Sequence, residues 1–244
     1  MFTLVVISVL VGAVAQRITG MGFALVVSPA LVLLLGPFDG VVVVNACGAI
    51  SAALILTRVW RDVQWKTFLL LVIPAIVAII PGAIVATTLP PATLEIGIGV
   101  LLIVVLTISL LITRAKVTVT SPVAAVGAGF ASGFMNVTAG IGGPAISVYA
   151  VLSRWNQASF AATMQPFLVV VATSSFFSKL LFSGGEQISL DWWMWFLIGL
   201  AVIVGLVVGE VLAARVPHVA ARRAVIVIAY LGGVVAIVHG LLAP

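Results

Sequence analysis

Two short polar runs could hold a small anion. The first is Gln16-Arg17-Ile18-Thr19-Gly20-Met21-Gly22. The second is Asn136-Val137-Thr138-Ala139-Gly140-Ile141-Gly142-Gly143-Pro144. Glycine at such a break lets backbone N–H groups approach a ligand with no Cβ in the way. A helix that begins just after it aims unpaired N–H donors and the positive end of its dipole at the same spot. Pro144 suits the first turn of such a helix, where a missing N–H costs nothing. Thr19, Thr138, Asn136, Gln16, Asn45 and Gln165 add neutral donors, and the planar fork of Arg17 suits a sulfonate, sulfite or carboxylate. A formal charge at membrane depth is expensive, which marks Arg17 as a functional candidate. The expected anion site is therefore Arg17, Thr19, Gly20, Gly22, Asn45, Asn136, Thr138, Gly140, Gly142, Gly143 and Gln165.

Each of these residues also has a purely structural reading. The glycines suit close helix packing, as expected for Gly129 and Gly133. Arg17 could snorkel to an interface. Asn45 and Gln165 could join helices by hydrogen bonds. Thr19 and Thr138 could bond back to their own helices. What favours a site is repetition, because two polar breaks at matching places in two halves point to a transporter's binding site.

The elements that must position these residues are membrane helices. The chain has 244 residues, 64% hydrophobic and only 7% charged, against roughly 25% charged in a soluble domain. Its apolar runs are long and unalternating, which excludes a β-barrel and leaves helices, the segments that satisfy their own backbone in lipid. Ten runs are expected, at 2–15, 22–36, 39–57, 66–89 and 92–113, then 121–135, 142–153, 157–181, 190–213 and 219–242. The first, second, sixth and seventh are short for a span of about 20 residues. They are expected to form two re-entrant pairs with glycine tips, with ten tilted crossings as the alternative. The N-terminus lacks a basic run and a cleavage site and reads as part of the fold. A single cysteine, Cys47, permits no internal disulfide and suits a small buried helix position.

An internal repeat underlies the two breaks. Gly20, Gly22, Gln16 and Asn45 fall on Gly140, Gly142, Asn136 and Gln165 at an offset of 120 (140 − 20). After an insertion near Ser183-Gly184-Gly185-Glu186-Gln187 the offset becomes 127, and Trp65, Gly82 and Pro90 fall on Trp192, Gly209 and Pro217. The expected division is a first repeat over 1–116 and a second over 117–244, forming one membrane domain. Loop charge tests their orientation. Arg58, Arg61 and Lys66 follow the third segment, and Arg114 and Lys116 follow the fifth. The loop after the eighth carries Lys179, Glu186 and Asp191 with no positive excess, while Arg215, His218, Arg222 and Arg223 follow the ninth. By the positive-inside rule the two halves have opposite topology, with both termini outside. Trp192, Trp193, Trp195 and Trp65 suit an interfacial aromatic belt.

With these residues in view, the chain resembles the sulfite exporter TauE/SafE family of anion permeases. Gly12 to Pro29 and Gly127 to Tyr149 carry the resemblance, above all Gly133 to Pro144. The first motif departs from the second, with Phe23 and Ala24 where the second has Gly143 and Pro144. The resemblance implies a cell-membrane permease, in a bacterial inner membrane, moving sulfite, sulfonates such as sulfoacetate, or other small organic anions. A related thiosulfate-importing group depends on several cysteines, and the lone Cys47 argues against that chemistry. Expected partners are the small anion and the lipid bilayer. No cofactor, metal or nucleic acid is expected, and homo-oligomerisation stays open. Export by alternating access is the expected mechanism, and an anion channel with the same site is the alternative. A membrane enzyme is disfavoured, because His218 and His239 do not sit in a catalytic constellation, and a scaffold would not need the doubled polar break. Glu210, paired with Arg215, and Glu95 are expected to be structural.

Overall fold

In the computed structural model the described residues are 1–19, 22–112, 118–119, 121–183 and 190–243. Gly20, Arg114, Lys116 and residues 184–187 of the insertion lie outside them. Among the described residues there are ten α-helices and no strand. They are α1 (Phe2–Thr19), α2 (Phe23–Leu35), α3 (Pro37–Val59), α4 (Trp65–Thr88), α5 (Pro91–Ile112), α6 (Pro122–Ala139), α7 (Gly143–Leu152), α8 (Gln157–Phe182), α9 (Trp192–Ala213) and α10 (His218–Leu242). A 3-10 turn at Trp60–Asp62 extends α3.

Local chemistry sets the helix ends. Proline at the first turn opens α3, α6 and α7, where its fixed φ fits and its missing N–H has no intrahelical role. Ser121 Oγ accepts from the Val123 amide at 3.2 Å to cap α6. Asn156 Oδ1 caps α8 by accepting from Ala158 and Ser159 at 3.0 and 3.2 Å. Seven helices are long and apolar enough to cross a membrane. Large apolar residues such as Ile73, Val77, Ile80 and Ile84 point outward along α4, as a lipid-facing surface requires.

The expected boundaries need one correction. The first and sixth segments do not end at residues 15 and 135. Helices α1 and α6 run on through the polar residues to Thr19 and Ala139, 18 residues each, or about 27 Å. The truly short elements are α2 and α7, at 13 and 10 residues, below the roughly 20 needed to span. Polar side chains within the last turn of a helix do not stop it, because its hydrogen bonds run along the backbone.

The packing scheme has a two-fold character. Helix α1 lies along α9, and α6 along α4. Helix α5 pairs with α10, and α3 with α8. Helix α2 packs on α3 and α10, while α7 packs on α8 and α5. Replacing every helix by the one five places away leaves these pairings unchanged. The contacts repeat in detail. A Cβ on Gly82 would lie 3.3 Å from the Phe134 carbonyl oxygen and 2.4 Å from Val137 Cγ1. One on Gly209 would lie 3.1 Å from the Val14 carbonyl oxygen and 2.7 Å from Arg17 Cβ. Val14 and Arg17 correspond to Phe134 and Val137 at the offset of 120, and Gly82 to Gly209 at 127.

Gly129 and Gly133 bring α6 against the α4 backbone, where a Cβ would stand 2.3 Å from the Leu71 carbonyl oxygen and 2.0 Å from that of Ala75. Carbonyl oxygens of a packed helix cannot rotate away as a side chain can. Gly133→Ala is therefore expected to destabilise the protein by about 1–3 kcal/mol, read as a lowered Tm in detergent. Gly127→Ala, whose Cβ would meet nothing within 4 Å, is expected to leave Tm unchanged or slightly raised. Equal Tm values for the two variants would contradict this seam.

Candidate functional site

The reversal between α6 and α7 carries most of the site. Gly140 has φ +72°, a left-handed conformation that favours glycine. Its N–H donates to the Asn136 carbonyl at 2.8 Å and ends α6. Ile141 is fully buried and anchors the reversal in an apolar cluster with Val32, Val41, Ile98 and Leu102. Gly142 lies so close to α6 that a Cβ would stand 2.8 Å from Ser132 Oγ, and that hydroxyl donates to the Gly142 carbonyl at 2.7 Å. Gly143 differs, because a Cβ there would meet nothing within 4 Å. Conformation explains Gly140 and close packing explains Gly142, but neither explains Gly143.

Gly143 borders a small cavity of about 40 Å³, room for roughly one to three waters. The first residues of both short helices line it, Phe23, Ala24 and Leu25 of α2 and Gly143 and Pro144 of α7. Two helix N-termini thus converge on one space, each with N–H groups that have no intrahelical partner. Three amide side chains complete the lining, namely Gln16 of α1, Asn45 of α3 and Asn136 of α6. Asn136 Nδ2 donates to Asn45 Oδ1 at 2.5 Å and to Ser175 Oγ of α8 at 3.0 Å. Asn45 Nδ2 donates to the carbonyls of Val41 at 3.0 Å and Asn136 at 3.4 Å. Ser51 Oγ donates to Gln16 Oε1 at 2.9 Å, so the Gln16 amide nitrogen keeps its donors for the cavity. Among the described residues, no charged side chain lines the space. An anion held there would rest on neutral donors and helix dipoles.

The sequence-based site residues divide into three groups. Asn45, Asn136, Gly140, Gly142 and Gly143 line this cavity. Thr19 and Gly22 line a neighbouring hollow, together with Gly143. Arg17, Thr138 and Gln165 line neither. The Arg17 guanidinium donates to the Glu210 carboxylate of α9, which also accepts from Arg58 Nη1 at 3.2 Å. Helix geometry explains this. Because α1 continues to Thr19, neighbouring side chains diverge by about 100°, so Gln16 faces the cavity while Arg17 faces α9. There Gly209 leaves it room. Glu210 therefore pairs with Arg17 and Arg58, not with Arg215 as expected. Thr138 Oγ1 donates to the Phe134 carbonyl at 2.8 Å, and Thr19 Oγ1 to that of Ala15 at 2.7 Å, so both hydroxyl protons are used locally. Gln165 is buried in α8 and donates to the Ala161 carbonyl at 2.9 Å.

Other polar contacts were not legible as such. Lys179, counted above as a loop charge, is fully buried within α8. Its Nζ donates to the Pro37 carbonyl at 3.1 Å and sits 5.0 Å from the Phe38 ring centre. Glu95 and His239 meet at 2.6 Å between α5 and α10. Ser28 Oγ donates to the Ala139 carbonyl. Ser175 and Ser51 support the amides, and nothing in their neighbourhoods sets them apart. Ser132 alone carried a signal, because it stands four residues before Asn136, on the same helix face.

No curated protein and no solved structure matches the chain. A family model described as "Sulfite exporter TauE/SafE" matches residues 4–236, from the first turn of α1 to the last part of α10. That match takes in both helix reversals and the cavity between them. It names membrane transporters of sulfite or related anions, not enzymes. The chain belongs to the sulfite exporter TauE/SafE family.

Proposed function

We propose that this protein exports a small sulfur-containing or organic oxyanion, such as sulfite or a sulfonate like sulfoacetate, across the cell membrane. The observation that carries this reading is the single cavity bordered by the N-termini of α2 and α7 and by Gln16, Asn45 and Asn136. Such a lining suits an oxyanion. Its oxygens accept hydrogen bonds from the Gln16 amide nitrogen and from backbone donors, which Asn45 and Asn136 hold in place, and the two helix dipoles favour negative charge. A neutral lining also lets the ion leave, which a transporter needs as much as binding. The site residues of this proposal are Gln16, Asn45, Asn136, Gly140, Gly142 and Gly143. Thr19 and Gly22 form its approach, and Arg17, Thr138 and Gln165 are supports.

Alternating access between two inverted repeats is the proposed mechanism. The exchange-invariant helix pairing supports the repeats, and the narrow cavity, bordered on one side by fully buried Ile141, favours a carrier over a continuous pore. The ends of α3 and α9 and the start of α10 carry Arg58, Arg215, Arg222 and Arg223, which makes that face cytoplasmic by the positive-inside rule and puts both termini outside. An inside-negative potential then favours expulsion of an anion by about 2.3 kcal/mol per charge per 100 mV. Export is thus driven without a coupling ion. Saturable sulfite flux with counterflow in proteoliposomes distinguishes the carrier from a channel bearing the same site.

Two substitutions test the cavity and one tests its boundary. Asn136→Ala removes the amide shared by Asn45 and Ser175 and is expected to raise the KM for sulfite about tenfold or more. Gly143→Val projects a side chain into the cavity and is expected to abolish sulfite flux while Tm stays near wild type. A packing glycine would behave the other way, losing Tm first. Arg17→Ala breaks a pair in which Arg17 and Glu210 are 32% and 48% exposed. It is expected to leave KM within about twofold and to cost at most about 1 kcal/mol of stability. A large rise in KM for Arg17→Ala would return that arginine to the site.

A further inference from the structure

A second hollow, of about 80 Å³, adjoins the cavity and shares Leu25, Gly143 and Pro144 with it. Its remaining walls come from the end of α1, the last turns of α5 and the start of α10. It therefore lies on the arginine-rich side of the reversal. On the opposite side the reversal is closed. Ala139 and Ile141 are fully buried there with Val32, Val41 and Ile98, from the end of α2, the start of α3 and the first half of α5, in an apolar cluster that extends to Leu25 and Leu106 of the hollow's wall. The two sides of the cavity are thus unlike. One is an apolar seal, and the other is a hollow that reaches the surface.

Arg222 stands in that hollow's wall and is exposed. Among the described residues it makes no hydrogen bond or ion pair. Arg17 and Arg58 share Glu210, and Lys179 is turned onto the Pro37 carbonyl. Among the described residues, no acidic side chain lines the hollow. A free guanidinium at the mouth of a narrow passage with low-dielectric walls focuses its field along the passage and concentrates anions there. We infer that Arg222 is the recruiting residue of an entry vestibule, drawing the anion from the arginine-rich face toward Gly143. The conformation described is the one open to that face. The vestibule rests on the anion-transport reading of the cavity and adds its side of entry and the residue that sets capture.

Membrane vesicles of both orientations from expressing cells separate the two faces, with sulfite as the probe. Arg222→Glu is expected to raise the KM for sulfite presented to the arginine-rich face by about tenfold or more. It should leave the maximal rate, and the KM from the opposite face, within about twofold. Wild-type KM on the arginine-rich face should rise with ionic strength, and that dependence should flatten in Arg222→Gln. Arg223→Glu changes the same net charge outside the hollow and is expected to have little effect. Equal effects of Arg222→Glu and Arg223→Glu would overturn the vestibule, because a general surface potential would then suffice. An unchanged Arg222→Glu beside an impaired Asn136→Ala would overturn it as well and leave the cavity intact. If Asn136→Ala and Gly143→Val were both silent, the cavity reading itself would fall.

Discussion

A helix that stops amid apolar side chains leaves carbonyl oxygens and N–H groups with no water to bond, and the rest of this structure is arranged around that constraint at residues 140–142. The reversal meets it unequally. Its carbonyls are taken: Asn136 O by the Gly140 amide and Asn45, Ala139 O by Ser28, and Gly142 O by Ser132. The N–H groups that open α7 have no such partners within their own helix. The break is thereby biased toward donors, and a second helix start, that of α2, faces the same cavity. In the proposed site, a preference for negative charge follows from which half of the broken backbone the protein itself satisfies. No cationic side chain in the cavity is required for it.

Each broken helix is held by the other half of the molecule. Helix α1 rests on α9 and α6 on α4, through glycine contacts that repeat at equivalent positions. The same cross-bracing gives a small motion at one tip a mechanical route to the other, since α3 and α8 run side by side and carry Asn45 and Ser175 to the same amide.

Charge is kept out of the cavity but close to it. Arg17 and Arg58 meet Glu210 on the flank of α1 and α9, Glu95 meets His239 between α5 and α10, and Lys179 is capped by carbonyls at the start of α3. Paired in these ways, ionisable groups brace helix contacts without presenting a fixed charge to the passage. A formal cation inside would bind an oxyanion tightly and slow its release. In the proposed vestibule Arg222 stands at the mouth instead, where its field would attract without trapping.

Much of the fold was legible in the sequence. Apolar run length and charged or Pro/Gly punctuation set ten segments, and ten helices stand there, most ends within a few residues. The family was legible in Gly133 to Pro144. The cavity's amides were legible because polar residues in such apolar runs need a reason to be there. The two reversals misled on length, because Gln16 and Asn136 looked like the start of the break and are in fact the last turn of a helix. Side-chain direction was the other gap. Gln16 and Arg17 are neighbours in sequence, and only the continued helix decided that one faces the cavity and the other α9. Likewise Lys179 looked like a loop charge until the packing of α8 on α3 buried it. Composition, period and punctuation are properties of the chain and survive in any fold it takes. Which face of a helix meets which neighbour is a property of packing, and it alone assigned the arginine to a brace and the glycine to the cavity.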